Sequence, residues 1–303
     1  MYSKYFKGLT KRDELRAKWK KKPIKGISTA EIEKAFRKWK ELNPIQNEHL
    51  IPTENKIYHS WDGNKIIRFG AVGDNQLCSK YQQLTFLHSL YDLFEAEGIT
   101  DVYNLGDVSE GYYKGRAGHI FDLIPGCIGC DEQADYIIKN YPKRRNIITR
   151  AISGNHDHTH IKNGGTNILR AIAREREDIK YLGCSNATVY LTPNCIMEIN
   201  HPEDGSAYAI SYSPQKYMDS MSGGQKPNIL LLGHYHKAEY LFYRNIHCVQ
   251  CATTCAQTPW MRSHKIAAHV GGWIIEIHVN DDGEITRFKS EYIPQYKTKQ
   301  EDF

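Results

Sequence analysis

Apolar, strand-like runs in this chain keep ending the same way, in a turn followed at once by Asp, Asn or His. IIRFGAV runs into Gly73-Asp74, VYNL into Gly106-Asp107, AIS into Gly154-Asn155-His156-Asp157, CIMEIN into His201, and NILLL into Gly233-His234-Tyr235-His236. Between several of these runs lie helix-like segments: YQQLTFLHSLYDLFEAEG, DEQADYIIKNY, TNILRAIAREREDI and PQKYMDSM. Strands alternating with helices argue for an α/β domain whose helices cover sheet faces. Two more strand-like runs, IHCVQ and WIIEIHV, make the later part richer in strand than in helix. That imbalance predicts a second sheet packed on the first. Ahead of all this, KIYHSW and NKIIRFG, joined around Asp62-Gly63, predict a hairpin.

In open α/β sheets, ligands bind beyond the carboxyl ends of the strands. One Gly-Asp after a strand is ordinarily only a turn. Five polar strand ends are hard to attribute to turns, because Asp, Asn and His are the oxygen and nitrogen donors that divalent cations take. The Gly preceding four of them permits a tight turn and close backbone approach. The ordered pattern GD…GD…GNHD…H…GHxH stands here as GDNQ, GDVSE, GNHD, His201 and GHYH. It resembles the calcineurin-like metallophosphoesterases over about Lys65 to Phe288. The stretches DEQADYIIKNYPKR, HPEDGSAYAISY, SGGQKPNILLLGHYHKA and QTPWMR are most similar to the double-strand-break-repair exonuclease branch, especially the compact versions encoded by tailed bacteriophages.

The resemblance implies a four-layer α-β-β-α sandwich of two mixed sheets, the metallophosphoesterase fold, over residues 56–303. It also implies two divalent cations sharing one carboxylate, which make water reactive toward phosphorus. Carried over position by position, Asp107 is the shared ligand. Asp74 and His236 serve one ion; Asn155, His201 and His234 serve the other. His156 matches the general acid at the leaving oxygen, and Asp157 orients a neighbour. Mn²⁺ is the first expectation, with Mg²⁺, Fe²⁺ or Zn²⁺ open. Gln76 stands where most members of the nuclease branch carry His. Either its amide oxygen ligates, tilting that site toward Mn²⁺ or Mg²⁺ and away from Zn²⁺, or the first site is loosened or empty.

Other residues divide between two readings. Arg262 in QTPWMR is a candidate phosphate contact through its planar fork, or a surface ion pair. Tyr208 and Ser206 are candidates to line a substrate groove. Glu110 either fixes its loop or takes part in chemistry, and His158 and His160 are either extra ligands or solvated loop histidines. Lys237 reads as a rim residue. The implied reaction is phosphodiester hydrolysis, with DNA or RNA as the expected partner. Alternatives are a phosphomonoesterase acting on protein or small phosphates, or an inactive scaffold. The repair exonucleases continue into a DNA-capping domain, whereas this chain ends about twenty residues after WIIEIHV. That favours a small stand-alone endonuclease or phosphodiesterase.

Charge is unevenly placed. Met1 to Leu42 holds 14 Lys/Arg against 5 Asp/Glu, a surplus of +9 within a total of +5, so the remainder carries −4. Residues 1–55 thus read as a basic helical extension and linker that could touch nucleic acid. Its first helix covers about Lys11 to Lys22 and stops at Pro23; its second opens at Ser28 with Glu31 in a capping box. No run approaches the roughly 20 apolar residues of a membrane span, and the first residues lack a secretory pattern. A cytoplasmic protein is therefore expected, inside a bacterial host if phage-encoded. Its eight cysteines are then expected to be thiols. Cys127/Cys130 and Cys248/Cys251 have zinc-like spacing, but strand alternation would turn Cys248 and Cys251 toward different faces. Small buried thiols are the expectation.

Overall fold

The structure, a computed structural model, describes Lys34 and residues 56–303 apart from Ser60, Ala117, Ser206, Gly223 and Gln225. The predicted basic arm and its helices lie outside the described residues, Lys34 excepted. In chain order the strands are β1 (Lys56–Tyr58), β2 (Ile66–Val72), β3 (Asp101–Asn104), β4 (Ile148–Ser153), β5 (Ile179–Cys184) and β6 (Asn186–Thr192). There follow β7 (Cys195–Asn200), β8 (Ile229–Leu232), β9 (Glu239–Tyr243), β10 (Ile246–Gln250), β11 (Gly271–Val279) and β12 (Ile285–Pro294). The helices are α1 (Leu84–Ala96), α2 (Cys130–Asn140), α3 (His158–Gly164), α4 (Ile168–Glu175), α5 (Tyr212–Ser220) and α6 (Pro259–Ser263).

The strands form two mixed six-stranded sheets, ordered β12-β11-β2-β3-β4-β5 and β1-β6-β7-β8-β10-β9. Their alternation explains the layers. Side chains of a strand point to opposite faces in turn, so Phe69, Ala71, Tyr103, Leu105 and Ile152 of the first sheet meet Val189, Met197, Ile199, Leu231 and Val249 of the second in one core. The intervening Val72, Val102 and Ala151 face outward and are covered by Leu87, Leu90 and Phe94 of α1, Ile137 of α2 and Ile172 of α4. On the far side, Leu230, Leu232, Ile246 and Cys248 are covered by Met218 of α5. Each fully buried Leu or Ile contributes about 1.5–3 kcal/mol relative to exposure. Three cores, each fed by one parity of the strands, therefore hold four layers in the order helix, sheet, sheet, helix.

The direction of the strands places the site. β2, β3 and β4 are adjacent and parallel, so their carboxyl ends share an edge. β7 and β8 are likewise parallel neighbours in the other sheet. The polar residues after all five strands thus come to one rim.

Several expectations change. The hairpin of KIYHSW with NKIIRFG does not form: β1 pairs in parallel with β6, Lys56 opposite Thr188. The Asp62-Gly63 turn is present, with Asp62 Oδ1 accepting the Asn64 N–H at 2.9 Å, but it carries the chain from one sheet to the other. WIIEIHV is not the last strand, because β12 continues antiparallel to β11. Among the described residues, no helix is long and apolar enough to cross a membrane.

Candidate metal centre

The strand-end loops are packed almost backbone to backbone. Asp74 N–H donates to Gly106 O at 2.9 Å, and Gln76 N–H to Asp107 O at 2.9 Å. A Cβ on Gly154 would stand 2.1 Å from Asp107 Oδ1, and one on Gly106, at φ +95°, 2.6 Å from His201 Nδ1. Asp74, Gln76, Asp107, His234 and His236 all have φ between +47° and +77°, five of the eleven such non-glycine residues described. Each left-handed residue costs about 1–3 kcal/mol. Strain gathered on five candidate ligands marks a site the rest of the fold over-determines.

Hydrogen bonding assigns the protons. Leu105 O can only accept, so His201 donates to it from Nδ1, at 2.7 Å across the two sheets. In the neutral ring its Nε2 then presents a lone pair, 3.0 Å from Asn155 Oδ1 and 3.3 Å from Asp107 Oδ2. His234 donates from Nε2 to Asp204 O at 2.7 Å, leaving a lone pair on Nδ1 at 2.8 Å from the same Asn155 oxygen. Asn155 Nδ2 is turned to the Tyr113 hydroxyl at 2.7 Å, which fixes its oxygen inward. Four acceptors without a proton among them repel one another unless a cation stands between.

The candidate ligand atoms of Asp107, His201 and His234 all lie within 4.8 Å of one another, the one such group of three or more among the described residues. The donor set fits a divalent metal ion. Without one, a second proton must do the same work. Burial lowers the His201 pKa, but the Asp107 carboxylate overrides it and lifts the value to about 10. Burial likewise pushes Asp107 up, and His201, His156 and His234 together pull it well below the usual carboxylate range.

Beside this group lies a second. Asp74 is fully buried, with His236 Nε2 3.2 Å from its Oδ1 and the His234 N–H donating to its oxygens at 3.1 and 3.0 Å. His236 Nδ1 is buried and has no hydrogen-bond partner among the described residues. The Gln76 amide sits between two imidazoles, its Nε2 3.4 Å from His236 Nε2 and 3.5 Å from His156 Nε2. A half-turn of that amide presents Oε1 instead.

His156 donates from Nδ1 to Glu110 O at 2.7 Å, so Nε2 is its free end. Burial lowers its pKa, yet Asp107 and Glu110 raise it above the ordinary imidazole value. Asp157 accepts from Val108 N, Ser109 N, Ser109 Oγ and Gly154 N at 3.2, 2.9, 2.7 and 2.9 Å, tying the second strand-end loop to the third. Burial first, and then Asp107, push its carboxyl upward against those donors. Glu110 accepts from His119 at 2.9 Å.

A cleft of about 390 Å³ opens over the rim, lined by Gln76, Asp107, Asn155, His156, His234 and His236. Arg262 and Tyr208 are not brought there. Arg262 is exposed on α6, Tyr208 is fully exposed, and neither lines the cleft. Arg116 lines it instead, with Tyr113 and Trp260. Ser206 lies outside the described residues. Lys237 reaches Ala207 O at 2.8 Å. His158 lies 3.4 Å from Glu203; His160 is buried, and burial pushes its pKa down to about 4. The cysteines of the two CxxC pairs are free and fall in separate surroundings: Cys127 beside Cys78, Cys248 under α5, and Cys251 between the sheets. No residue-type signal pointed to Tyr113 or Asp204.

No protein-family model and no curated protein matches the chain. Among solved structures, an archaeal phosphodiesterase is similar over 75% of this chain and 100% of its own, at 10% identity and a TM-score of 0.43. GAP50 of Plasmodium is similar over 78% and 91%, at 12% identity and 0.43. Vps29 from Cryptosporidium parvum is similar over 77% and 100%, at 12% identity and 0.38. At such values the chemistry of the cleft has to be read from its own geometry.

Proposed function

We propose that this cleft hydrolyses phosphate esters, phosphodiesters of DNA or RNA foremost, with two divalent cations. One observation carries the reading: His201 Nε2, His234 Nδ1, Asn155 Oδ1 and the Asp107 carboxylate converge, and with both imidazoles neutral no proton lies among them. Asn155, His201 and His234 would hold one ion, Asp74, His236 and Gln76 the other, with Asp107 shared. Bound ions would stabilise charge on phosphoryl oxygens and lower the pKa of water to about 7 in favourable cases. Mn²⁺ suits this oxygen-rich mixture, with Gln76 supplying a harder donor than imidazole.

The chain's own residues supply the rest. With its Nδ1–H committed to Glu110 O, His156 carries a proton on Nε2 as the imidazolium, the form that Asp107 and Glu110 favour against the opposing effect of burial. It can pass that proton to a leaving oxygen, a contribution of about 10²–10⁴-fold. Tyr113 and Asp204 fix which atoms of Asn155 and His234 face inward. The motif resemblance and the basic arm support nucleic acid as the substrate.

The test is turnover of bis-p-nitrophenyl phosphate against p-nitrophenyl phosphate in Mn²⁺, with calorimetric titration of the metal. Diester turnover in excess of monoester turnover, with two ions per chain, is expected. A single ion per chain, with Gln76→His creating a second, would remove Gln76 from the ligands. Faster monoester turnover would make the protein a phosphomonoesterase.

A further inference from the structure

Arg116 is the one Lys or Arg among the described residues that lines the cleft, in company with the carboxyl groups of Asp107, Glu110 and Asp122. Among the described residues its guanidinium has no hydrogen bond or ion pair; it rests on the ring of Trp260, 4.3 Å from the centroid. Its backbone N–H donates to Tyr113 O at 3.0 Å. The Tyr113 ring in turn packs edge-on to His156, with centroids 5.0 Å apart. An arginine in a salt bridge has its charge matched already. One lying on an aromatic face is held in place while keeping its charge and its five N–H donors. That planar fork matches the oxygens of a phosphate.

The same stretch of cleft carries Trp260, 41% exposed, with Met261 and Ile266. Aromatic surface beside a cation is what a nucleobase and its backbone use, and a phosphopeptide needs no such wall. We propose that Arg116 grips a backbone phosphate of single-stranded nucleic acid entering the cleft, and that Trp260 is its positioning residue. This rests on the reading of the cleft as a phosphoester site.

The experiment is fluorescence anisotropy of a labelled phosphorothioate oligodeoxythymidylate, which resists hydrolysis, bound to the full chain in Mn²⁺ across a series of NaCl concentrations. Arg116→Ala should weaken binding about tenfold and lower the slope of log affinity against log salt by about 0.7, the value of one phosphate contact on a single strand. Arg116→Lys should keep the slope and lose part of the affinity; Trp260→Ala should do the same. Arg116→Ala with parental affinity, slope and melting temperature would overturn the proposal, as would a parent protein that ignores the oligonucleotide and binds a phosphopeptide. Hydrolysis of bis-p-nitrophenyl phosphate is read separately. Its absence alongside Arg116-dependent binding would refute the hydrolase reading and leave this one standing.

Discussion

Replacing Gly154 with Ala puts the packing of the rim to a quantitative test. The new methyl carbon would stand 2.1 Å from Asp107 Oδ1, 2.6 Å from the Asp107 backbone nitrogen and 2.7 Å from its Cγ. Such contacts are not sustained below 3.0 Å, so the carboxylate must retreat by about 0.9 Å, the difference between 3.0 and 2.1. Because backbone is among the obstacles, the loop has to move with it. The hydrogen bond from His156 N–H to Asp107 Oδ1, 2.8 Å long, is then lost.

Overpacking costs about 1–3 kcal/mol, and a hydrogen bond to a charged acceptor about 1.5–3 kcal/mol. Together they come to about 4 kcal/mol. At about 2–4 °C per kcal/mol for a domain of this size, the melting temperature should fall by about 10 °C. On the proposed role of Asp107 as a shared metal ligand, a displacement of nearly 1 Å should also cost about 10²-fold in turnover. Circular-dichroism melts and diester hydrolysis in Mn²⁺ read both. Gly73→Ala is the control, since its nearest neighbour is Leu105 Cβ at 3.2 Å; it should cost less than about 1 kcal/mol. A Gly154→Ala protein that melts within about 2 °C of the parent and turns over normally would refute the reasoning.

Asp157→Asn leaves two of four loop donors facing an amide N–H₂, at about 1–3 kcal/mol each. Relief of repulsion with Asp107 offsets part of this, so a loss of about 2–4 kcal/mol should appear in chemical denaturation. His156→Ala should reduce turnover by about 10²–10⁴-fold while Mn²⁺ titration stays unchanged, and unaltered turnover would remove the assigned acid. Asp178 pairs through both oxygens with Arg176, at 2.7 and 2.6 Å. Asp178→Asn leaves that buried guanidinium its bonds to the Ile138, Tyr141 and Pro142 carbonyls but removes its counter-charge, and should cost about 3 kcal/mol. Burial raises the Asp178 pKa, but Arg176 outweighs it and holds the carboxyl below its ordinary 3.8. The pair's stabilisation is therefore full above that value and lost as pH falls through the lowered folded one. The substituted protein should show a flatter stability profile in that acid window.

The gathering of Asp74, Asp107, Asn155, His201, His234 and His236 at one rim was legible because each follows an apolar, strand-like run, and a polar residue after such a run has little choice but the rim. The four layers follow from the same parity: Cys248 and Cys251, three apart, ended on opposite faces of their sheet. Other contributions left no trace in residue type. Asp204 acts through its backbone carbonyl, which every residue carries, and Tyr113 through a hydroxyl whose partner lies 42 positions away. Arg116 and Arg262 are chemically alike, and only the path of the chain decides which one reaches the cleft. The β9–β10 hairpin turns on Arg244-Asn245, at φ +52° and +63°, without the Asn-Gly that advertises such turns. Asp62-Gly63 carried that kind of signal and bends the chain between sheets instead.

The bond from His201 to Leu105 O spans the two halves of the sandwich at their upper lip. A cation seated beside it would act as a clasp, joining groups that no covalent link or strand pairing connects. Occupancy and cohesion are then one equilibrium, so a chelator should loosen this lip before the remainder of the body gives way.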